Sequence, residues 1–192
     1  MTGSVLITND SNTYSVSIVI HNAACITSGV PYADFNLIPV TPKSVYQKSG
    51  NSSLSPQVAG SITAAPAGFF SRDPSDINVE GLIAYTVPGV DATTDSYNLV
   101  VYFASIKTAT GGYTTVGFVN TKTPIDEELL TQMSATPSTT YKTTASSRPM
   151  TVGGKSYTFQ ASMVSLPQSP QASVKGLVVG DYGYAVDVTF ST

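Results

Sequence analysis

His21 is the only histidine of the chain, so any serine or cysteine hydrolase mechanism would have to use it. It follows the apolar stretch 16–20 and precedes Cys25, the only cysteine, by four residues. Such catalysis also needs an acid that orients the imidazole and, for a serine enzyme of this kind, a nucleophile elbow. Neither pattern accompanies His21. We therefore expect His21 to be an ordinary residue at a strand end, and the protein not to be an enzyme.

Two groups of acidic residues resemble ion or acid–base sites. Asp91 and Asp95 flank a turn, but two carboxylates fall short of the six or more oxygens that Ca²⁺ takes. Asp126, Glu127 and Glu128 are explained by the preference of acids for the start of a helix. No phosphate loop and no metal-ligand spacing of Cys and His is present. The sequence thus predicts no cofactor and no metal.

Tyrosine is the side chain best suited to binding here, with 11 Tyr against 7 Phe and no Trp. Its ring stacks on sugars and choline groups, while its hydroxyl hydrogen-bonds. Tyrosines within strands usually fill the core or pair across strands. Tyr113 and Tyr141 lie beside loops rich in small polar residues. Together with Ser105 and Thr108 they form the predicted ligand-binding site.

The elements that must position these residues are almost all strands. Apolar and polar residues alternate, β-branched and aromatic types dominate, and Asn, Gly, Pro and Asp bound the runs. The predicted strands are 5–7, 14–20, 78–87, 97–103, 113–119, 157–165, 174–179 and 184–190, with a strand pair at 58–64 and 68–71. Residues 48–55 are predicted as a loop and 134–148 as a Ser/Thr-rich linker.

One stretch breaks the alternation. Thr123 suits an N-cap and Pro124 the first helical position, and apolar residues recur every four residues from Ile125 to Met133. This pattern predicts a short helix from Pro124 to Met133 whose apolar face packs on a sheet. The fold class is therefore mainly β, an antiparallel β-sandwich with one flanking helix, in a single domain over residues 1–192.

The composition excludes several classes of function. Only 11% of the residues are charged and the net charge is −3, so the scattered cations cannot neutralise a run of phosphates. We expect no nucleic-acid partner and no binding to anionic lipid by charge alone. One cysteine allows no intrachain disulfide, and neither a signal peptide nor an apolar span of about 20 residues is visible. The protein is expected to be soluble and, after release, to act on target-cell membranes.

The order of elements resembles the sea-anemone pore-forming cytolysins, the actinoporins, whose fold fungal fruit-body lectins share. An Ile-x-Asn-x-Ser opening, a proline-punctuated second segment and a strand before the lipid-binding loop carry this resemblance. The similar stretches are residues 5–11, 35–41, 79–85, 99–105, 124–133, 174–179 and 184–190. The resemblance implies a β-sandwich flanked by a helix.

The chain also departs from that family. It begins at the first strand, without the amphipathic helix that inserts into membranes. Ala104 and Ile106 replace the serine and proline of the family's Phe-Ser-x-Pro, and Thr115 and Val116 replace its tryptophan pair. The family's helix tyrosines and its Arg-Gly-Asp tripeptide are missing. The fold is therefore expected to carry over, whereas the phosphocholine pocket and pore formation by the inserted helix are not.

Three functions remain open at this point. The first is a membrane-binding, cytolysin-like protein that recognises a lipid headgroup or glycan through loops at one end of the sandwich, with homo-oligomers on membranes supplying avidity. The second is a lectin without lytic activity. The third, for which low charge and Ser/Thr richness fit equally well, is a structural assembly or capsid-like subunit.

Overall fold

The computed structural model of the chain describes residues 15–22, 36–54, 56–59, 64–71, 78–86, 96–106, 112–134, 145–152, 154–165, 173–174, 177–178 and 182–191. Its elements, in chain order, are β1 (Ser15–Asn22), β2 (Ile38–Pro39), β3 (Val45–Ser49), β4 (Asn51–Leu54), β5 (Ala64–Ser71), β6 (Asn78–Thr86), β7 (Tyr97–Ile106), β8 (Gly112–Asn120), α1 (Glu127–Ser134), β9 (Ala145–Val152), β10 (Lys155–Ser165), β11 (Ser173–Val174), β12 (Leu177–Val178) and β13 (Tyr182–Ser191). The fold is mainly β with one short helix, as the alternation predicts.

Two sheets form the sandwich. The six-stranded sheet has the order β4-β5-β1-β13-β10-β9, and the five-stranded sheet has the order β2-β6-β7-β8, with β3 also pairing with β6. The described strand pairs are antiparallel except for β1 with β13, which run parallel. The predicted antiparallel β-sandwich is thus confirmed, with β1 and β13 as its one parallel pair among the described strands.

The main core lies between the two sheets. In β10, Tyr157, Phe159 and Ala161 are buried while the residues between them are exposed, which is the period of a sheet with one wet face. Phe159 meets Phe118 of β8 across the sandwich, with ring centroids 4.3 Å apart and planes inclined by 52°. Aromatic pairs tilted in this way add to the burial of their area.

The five-stranded sheet is covered on both faces, which we call its core face and its helix face. Along β7, Leu99, Val101 and Phe103 belong to the main core, whereas Val100 and Tyr102 belong to a second cluster with α1. This double burial explains why β6 and β7 are nearly continuous apolar runs. The prediction that tyrosines in these strands are structural is confirmed for Tyr102 and for Tyr85 of β6, both of which are buried.

The helix packs on the helix face as predicted, but its start differs. Helical residues run over Glu127–Ser134, and Asp126 is the N-cap, since Asp126 Oδ1 accepts a hydrogen bond from the Leu129 amide at 3.1 Å. The prediction of Thr123 as the cap and Pro124 as the first helical residue is wrong. Ile125, directly before the cap, is buried in the same cluster as Leu130, the arrangement of a hydrophobic staple.

Four segments differ from their sequence predictions. Residues 48–55, predicted as a loop, contain the end of β3 and all of β4, and the first half of β9 lies within the predicted linker 134–148. Residues 64–71 form one strand, β5, through Pro66 instead of a pair. Residues 174–179, predicted as one strand, contribute to the short antiparallel pair of β11 and β12. The predicted first strand at 5–7 lies outside the described residues.

Gly50 connects β3 of one sheet to β4 of the other, with φ of 87°. This left-handed conformation is open to glycine without a steric penalty. It brings the end of β3 to the rim of the sandwich, where the polar residues of the candidate site gather. Over the ranges that the structure describes, no helix has the length and apolarity to cross a bilayer.

Candidate ligand-binding site

The four predicted site residues are only partly within the described structure. Ser105 is on β7 and pairs with Gly112, and Tyr113 is on β8 and pairs with Ala104. Thr108 and Tyr141 lie outside the described residues. Ser105 and Tyr113 therefore occupy neighbouring strands at the end of the sheet that the β7–β8 connection closes.

The register nevertheless separates Ser105 from Tyr113. Ser105 lies in the row of Val79, which belongs to the main core, whereas Tyr113 lies in the row of Ala104 and Glu80. Successive residues of a strand alternate between the faces of a sheet, so the two positions belong to opposite faces. Tyr113 is placed on the helix face, and Ser105 is placed on the core face.

The row of Tyr113 leads to a polar and aromatic group on the helix face, which we call the Glu80 cluster. It consists of Lys43, Tyr46, Lys48, Glu80 and Tyr102. Glu80 lies two residues inside the start of β6 and pairs with Ala104, two residues before the end of β7. Glu80 and Lys48 therefore lie toward the same end of the sheet as the β7–β8 connection, whereas Tyr46 pairs with Leu82 in the middle of β6 and Lys43 precedes β3.

Glu80 is held by two partners. The Tyr102 hydroxyl donates to Glu80 Oε1 at 3.0 Å, and Lys48 Nζ lies 3.4 Å from Glu80 Oε2. The Tyr102 side chain is buried in the apolar cluster that packs against α1, so its hydroxyl holds the Glu80 carboxylate from the buried side. Lys48 is 46% exposed and Glu80 19%, and an ion pair this exposed adds little to stability. The carboxylate is thus positioned by the fold while it remains reachable from solvent.

Tyr46 supplies the ring of the cluster. It is partly buried and packs against the helix-face core, and the Lys43 ammonium lies 4.8 Å from its ring centroid. A cation over a tyrosine ring at such an exposed position is worth about 0.5–1 kcal/mol. Tyr46 is therefore held by packing against the helix-face core, and among the described residues Lys43 lies over its ring.

The backbone under the cluster is unusually close. A Cβ built on Gly81 would lie 2.6 Å from the Tyr46 carbonyl oxygen and 2.7 Å from Phe103 Cζ. Gly81 pairs with Phe103 on one side and with Gln47 on the other. Glycine at this position lets β3 and the Phe103 ring approach β6 together. The same strand pairing brings Lys48 to Glu80 and sets Tyr46 opposite Leu82.

Ser49 adds a hydroxyl at the rim of the cluster. It pairs with Glu80 just after a register shift in β3, and its Oγ is buried without a hydrogen-bond partner among the described residues. Buried hydroxyls are usually hydrogen-bonded, so this is a local feature that regular pairing does not explain. Together these residues offer a carboxylate, ammonium groups, hydroxyls and a ring. That set suits a polar headgroup or a sugar.

A second row of chemistry-bearing residues crosses the six-stranded sheet. His21 pairs with Asp187, and Asp187 pairs with Ser162. A hydrolase triad needs the imidazole between nucleophile and acid. Here the acid position is in the middle, and two strand spacings of about 4.8 Å each separate the serine from the histidine. The row lacks the order that serine catalysis requires.

A groove of about 270 Å³ lies at the start of α1, lined by Lys122, Thr123, Pro124, Asp126, Glu128, Leu129 and Gln132. Asp126 is occupied in capping the helix, and Glu128 accepts a 3.5 Å hydrogen bond from Gln132. Within the described ranges, no three His, Cys, Asp or Glu residues come together to bind a metal ion.

Sequence reasoning missed most of the Glu80 cluster, although it left two signals. Glu80 is the one charged residue in the apolar run of β6, and Lys43, Tyr46 and Lys48 concentrate two of the nine cations around a tyrosine. The pairing of β3 with β6, which brings these residues together, could not be predicted from the sequence. Comparison with known proteins adds no family: no protein-family model matches the chain, and no curated protein sequence matches it significantly.

Proposed function

We propose that this protein is a membrane-binding, cytolysin-like protein that recognises a lipid headgroup or a membrane glycan at the Glu80 end of the sandwich. The observation that carries the proposal is the Glu80 cluster itself. A ring that packs on one side, a positioned carboxylate and two exposed ammonium groups are arranged along β3 and β6 on the helix face, with Glu80 and Lys48 toward the end closed by the β7–β8 connection. Binding replaces the contacts of Lys43 and Lys48 by contacts to the ligand.

The cluster has the features of a recognition site for a small polar group. Tyr46 offers an apolar surface, Glu80 accepts hydrogen bonds, and the ammonium groups meet anionic or hydroxyl oxygens. A single site of this size binds weakly, so several copies on one membrane would supply the avidity. Recognition, and not catalysis, is the role that these residues support.

A non-lytic lectin is the second candidate, and the outer face of the six-stranded sheet favours it. Along β10, Ser156, Thr158 and Gln160 are exposed, and Ser147 pairs with Gln160 at the edge of the sheet. Hydroxyl and amide groups in such rows hydrogen-bond to neutral sugars without charge. A structural assembly subunit remains the third proposal, for which low charge is the only argument.

The test is binding to, and dye release from, vesicles of phosphatidylcholine alone, the same vesicles with a neutral glycolipid, and erythrocytes. Wild type is compared with Tyr46→Leu, which keeps the apolar contact with the helix-face core but removes the ring. Loss of an aromatic anchor typically costs 2 kcal/mol or more, so binding should weaken by roughly 30-fold. Lys122→Gln, at an exposed position outside the cluster, is the control and should bind like wild type.

The outcomes of this test distinguish the proposed functions. Release that is weakened by Tyr46→Leu supports the cytolysin-like function at this site. Binding without release supports the lectin. Equal binding by wild type and Tyr46→Leu would remove the Glu80 cluster from the proposal, and no binding to any of these membranes would overturn both leading functions.

A further inference from the structure

The junction between β1 and β13 divides the six-stranded sheet. On one side lie β4, β5 and β1, and on the other lie β13, β10 and β9. It is also the one parallel pair among the described strands. The hydrogen bonds of this pair join chain segments that are far apart in sequence, so its strength governs how the two halves hold together.

The register places the only histidine of the chain at this junction, opposite an acid. His21 on β1 pairs with Asp187 on β13. The neighbour of His21 on its other side is Ala64 of β5, and the neighbour of Asp187 on its other side is Ser162 of β10. The row therefore reads alanine, histidine, aspartate, serine across four strands.

This pair stands in surroundings that carry almost no other charge. β1, β4, β5 and β13 contain no further Asp, Glu, Lys, Arg or His, and neither does β7, which packs against β1 from the other sheet. In β10 and β9 the charged residues are Lys155 and Arg148. They lie in the rows of Val152 and Phe159, several residues from that of Ser162.

Tyrosines are the other ionisable residues of these described strands. Tyr182 and Tyr184 are on β13, Tyr157 is on β10, and Tyr97 and Tyr102 are on β7. An ordinary tyrosine titrates near pH 10, far above the range in which histidine changes charge. Among the described strands of the junction, Asp187 is thus the residue that pairs with His21 and carries a charge between pH 5 and 8.

We propose that the juxtaposition of His21 and Asp187 makes the β1–β13 junction a pH-sensitive clasp, stronger when His21 is protonated. Opposite charges at directly paired positions of neighbouring strands attract each other. Histidine gains its charge below about pH 6.5, where Asp is still ionised. The stabilisation is therefore present in mildly acidic solution and is lost as the pH rises through the titration of His21.

The test is an NMR titration of the imidazole protons, which needs no assignment because the chain has one histidine. The midpoint in wild type should lie about half a pH unit above that in Asp187→Asn. Asp126→Asn removes an equal charge at the cap of α1, on the other sheet, and keeps a capping side chain. Its midpoint should match wild type.

Equal midpoints in wild type and Asp187→Asn would overturn the proposal. So would an equal downward shift in both variants, since it would reflect net charge only. If Asp187→Asn does not fold, wild type is titrated in buffer and in urea. A higher midpoint in the folded protein supports the clasp, and an unchanged or lower one overturns it.

Discussion

At the scale of single residues, two positions in β6 show how tightly this sheet is built. Gly81 admits both β3 and the Phe103 ring, and Tyr85, four residues on, is fully buried with its hydroxyl donating to the Gln57 carbonyl at 3.1 Å. The first position leaves no room for a methyl group. The second keeps a titratable group away from water. Each has a measurable consequence.

Gly81→Ala should destabilise the protein by about 1–3 kcal/mol, because a methyl group would collide with the Tyr46 carbonyl and the Phe103 ring. Gly117→Ala is the matched control, because on β8 of the same sheet its Cβ would meet Met133 Cε at an ordinary contact distance of 3.5 Å. That variant should be neutral or slightly stabilising, since alanine restricts the unfolded chain. Urea unfolding measures both changes, and equal destabilisation by the two variants would contradict the argument.

Tyr85 predicts a pH dependence. Burial raises the pKa of Tyr85 far above that of a tyrosine in the unfolded chain. Because the folded state then holds its proton more tightly, the corresponding stability is complete below about pH 10 and declines above it, by up to about 1.4 kcal/mol per pH unit. Tyr85→Phe loses one hydrogen bond, worth about 1 kcal/mol, but escapes this decline.

Unfolding free energies of wild type and Tyr85→Phe, measured from pH 8 to 11.5, should therefore converge above pH 10, and the variant should become the more stable protein by about pH 11.5. Ionisation of the other tyrosines affects both proteins equally. A constant difference over the whole range would show that Tyr85 titrates in the folded protein as it does in the unfolded chain.

At the scale of elements, the start of the helix shows that tertiary packing can decide which of two residues forms the N-cap. Thr123 and Asp126 are both good capping residues, and the sequence favours the first because Pro124 follows it. The structure uses Asp126, which leaves Ile125 outside the helix and buried against the sheet. Local propensity located the helix, and the burial of one isoleucine decided where it begins.

Asp126→Ala should cost about 1 kcal/mol, since the Leu129 amide loses its acceptor. Asp126→Ser retains a capping oxygen and should recover most of the loss. Thr123→Ala removes the alternative cap and should leave the stability within about 0.5 kcal/mol of wild type. Thermal unfolding of the three variants distinguishes the caps, and a larger loss for Thr123→Ala than for Asp126→Ala would reverse the assignment.

The same contrast explains which strands the sequence predicts. β7 and β10 are predicted correctly because their patterns of apolar residues are typical of buried strands. β4 and β9 are missed because Asn51, Ser52 and Ser53, and Ser146 and Ser147, have the composition of loops, and they become strands through pairing with β5 and β10. The Glu80 cluster is missed for the same reason, because its residues meet only through the pairing of β3 with β6. Local composition does not predict which distant segments of the chain pair as strands.

At the scale of the whole molecule, the sandwich depends on contacts between its sheets. The Phe118–Phe159 pair spans the main core, and the Arg148 guanidinium of the edge strand β9 lies 5.8 Å from the ring centroid of Tyr97 in the other sheet. A charge on an edge strand also discourages pairing with another chain. The two sheets thus share one core, and we expect them to unfold together.

Phe159→Ala tests this cooperativity. Phe159 is fully buried, so its loss should destabilise the protein by about 3–5 kcal/mol. Because the core is shared, far-UV circular dichroism and tyrosine fluorescence should report the same lowered urea midpoint. Thr158→Ala, on the exposed face of the same strand, should leave the midpoint nearly unchanged. Two separate transitions in Phe159→Ala would mean that one sheet survives without the other, and that residues 1–192 do not behave as a single folding unit.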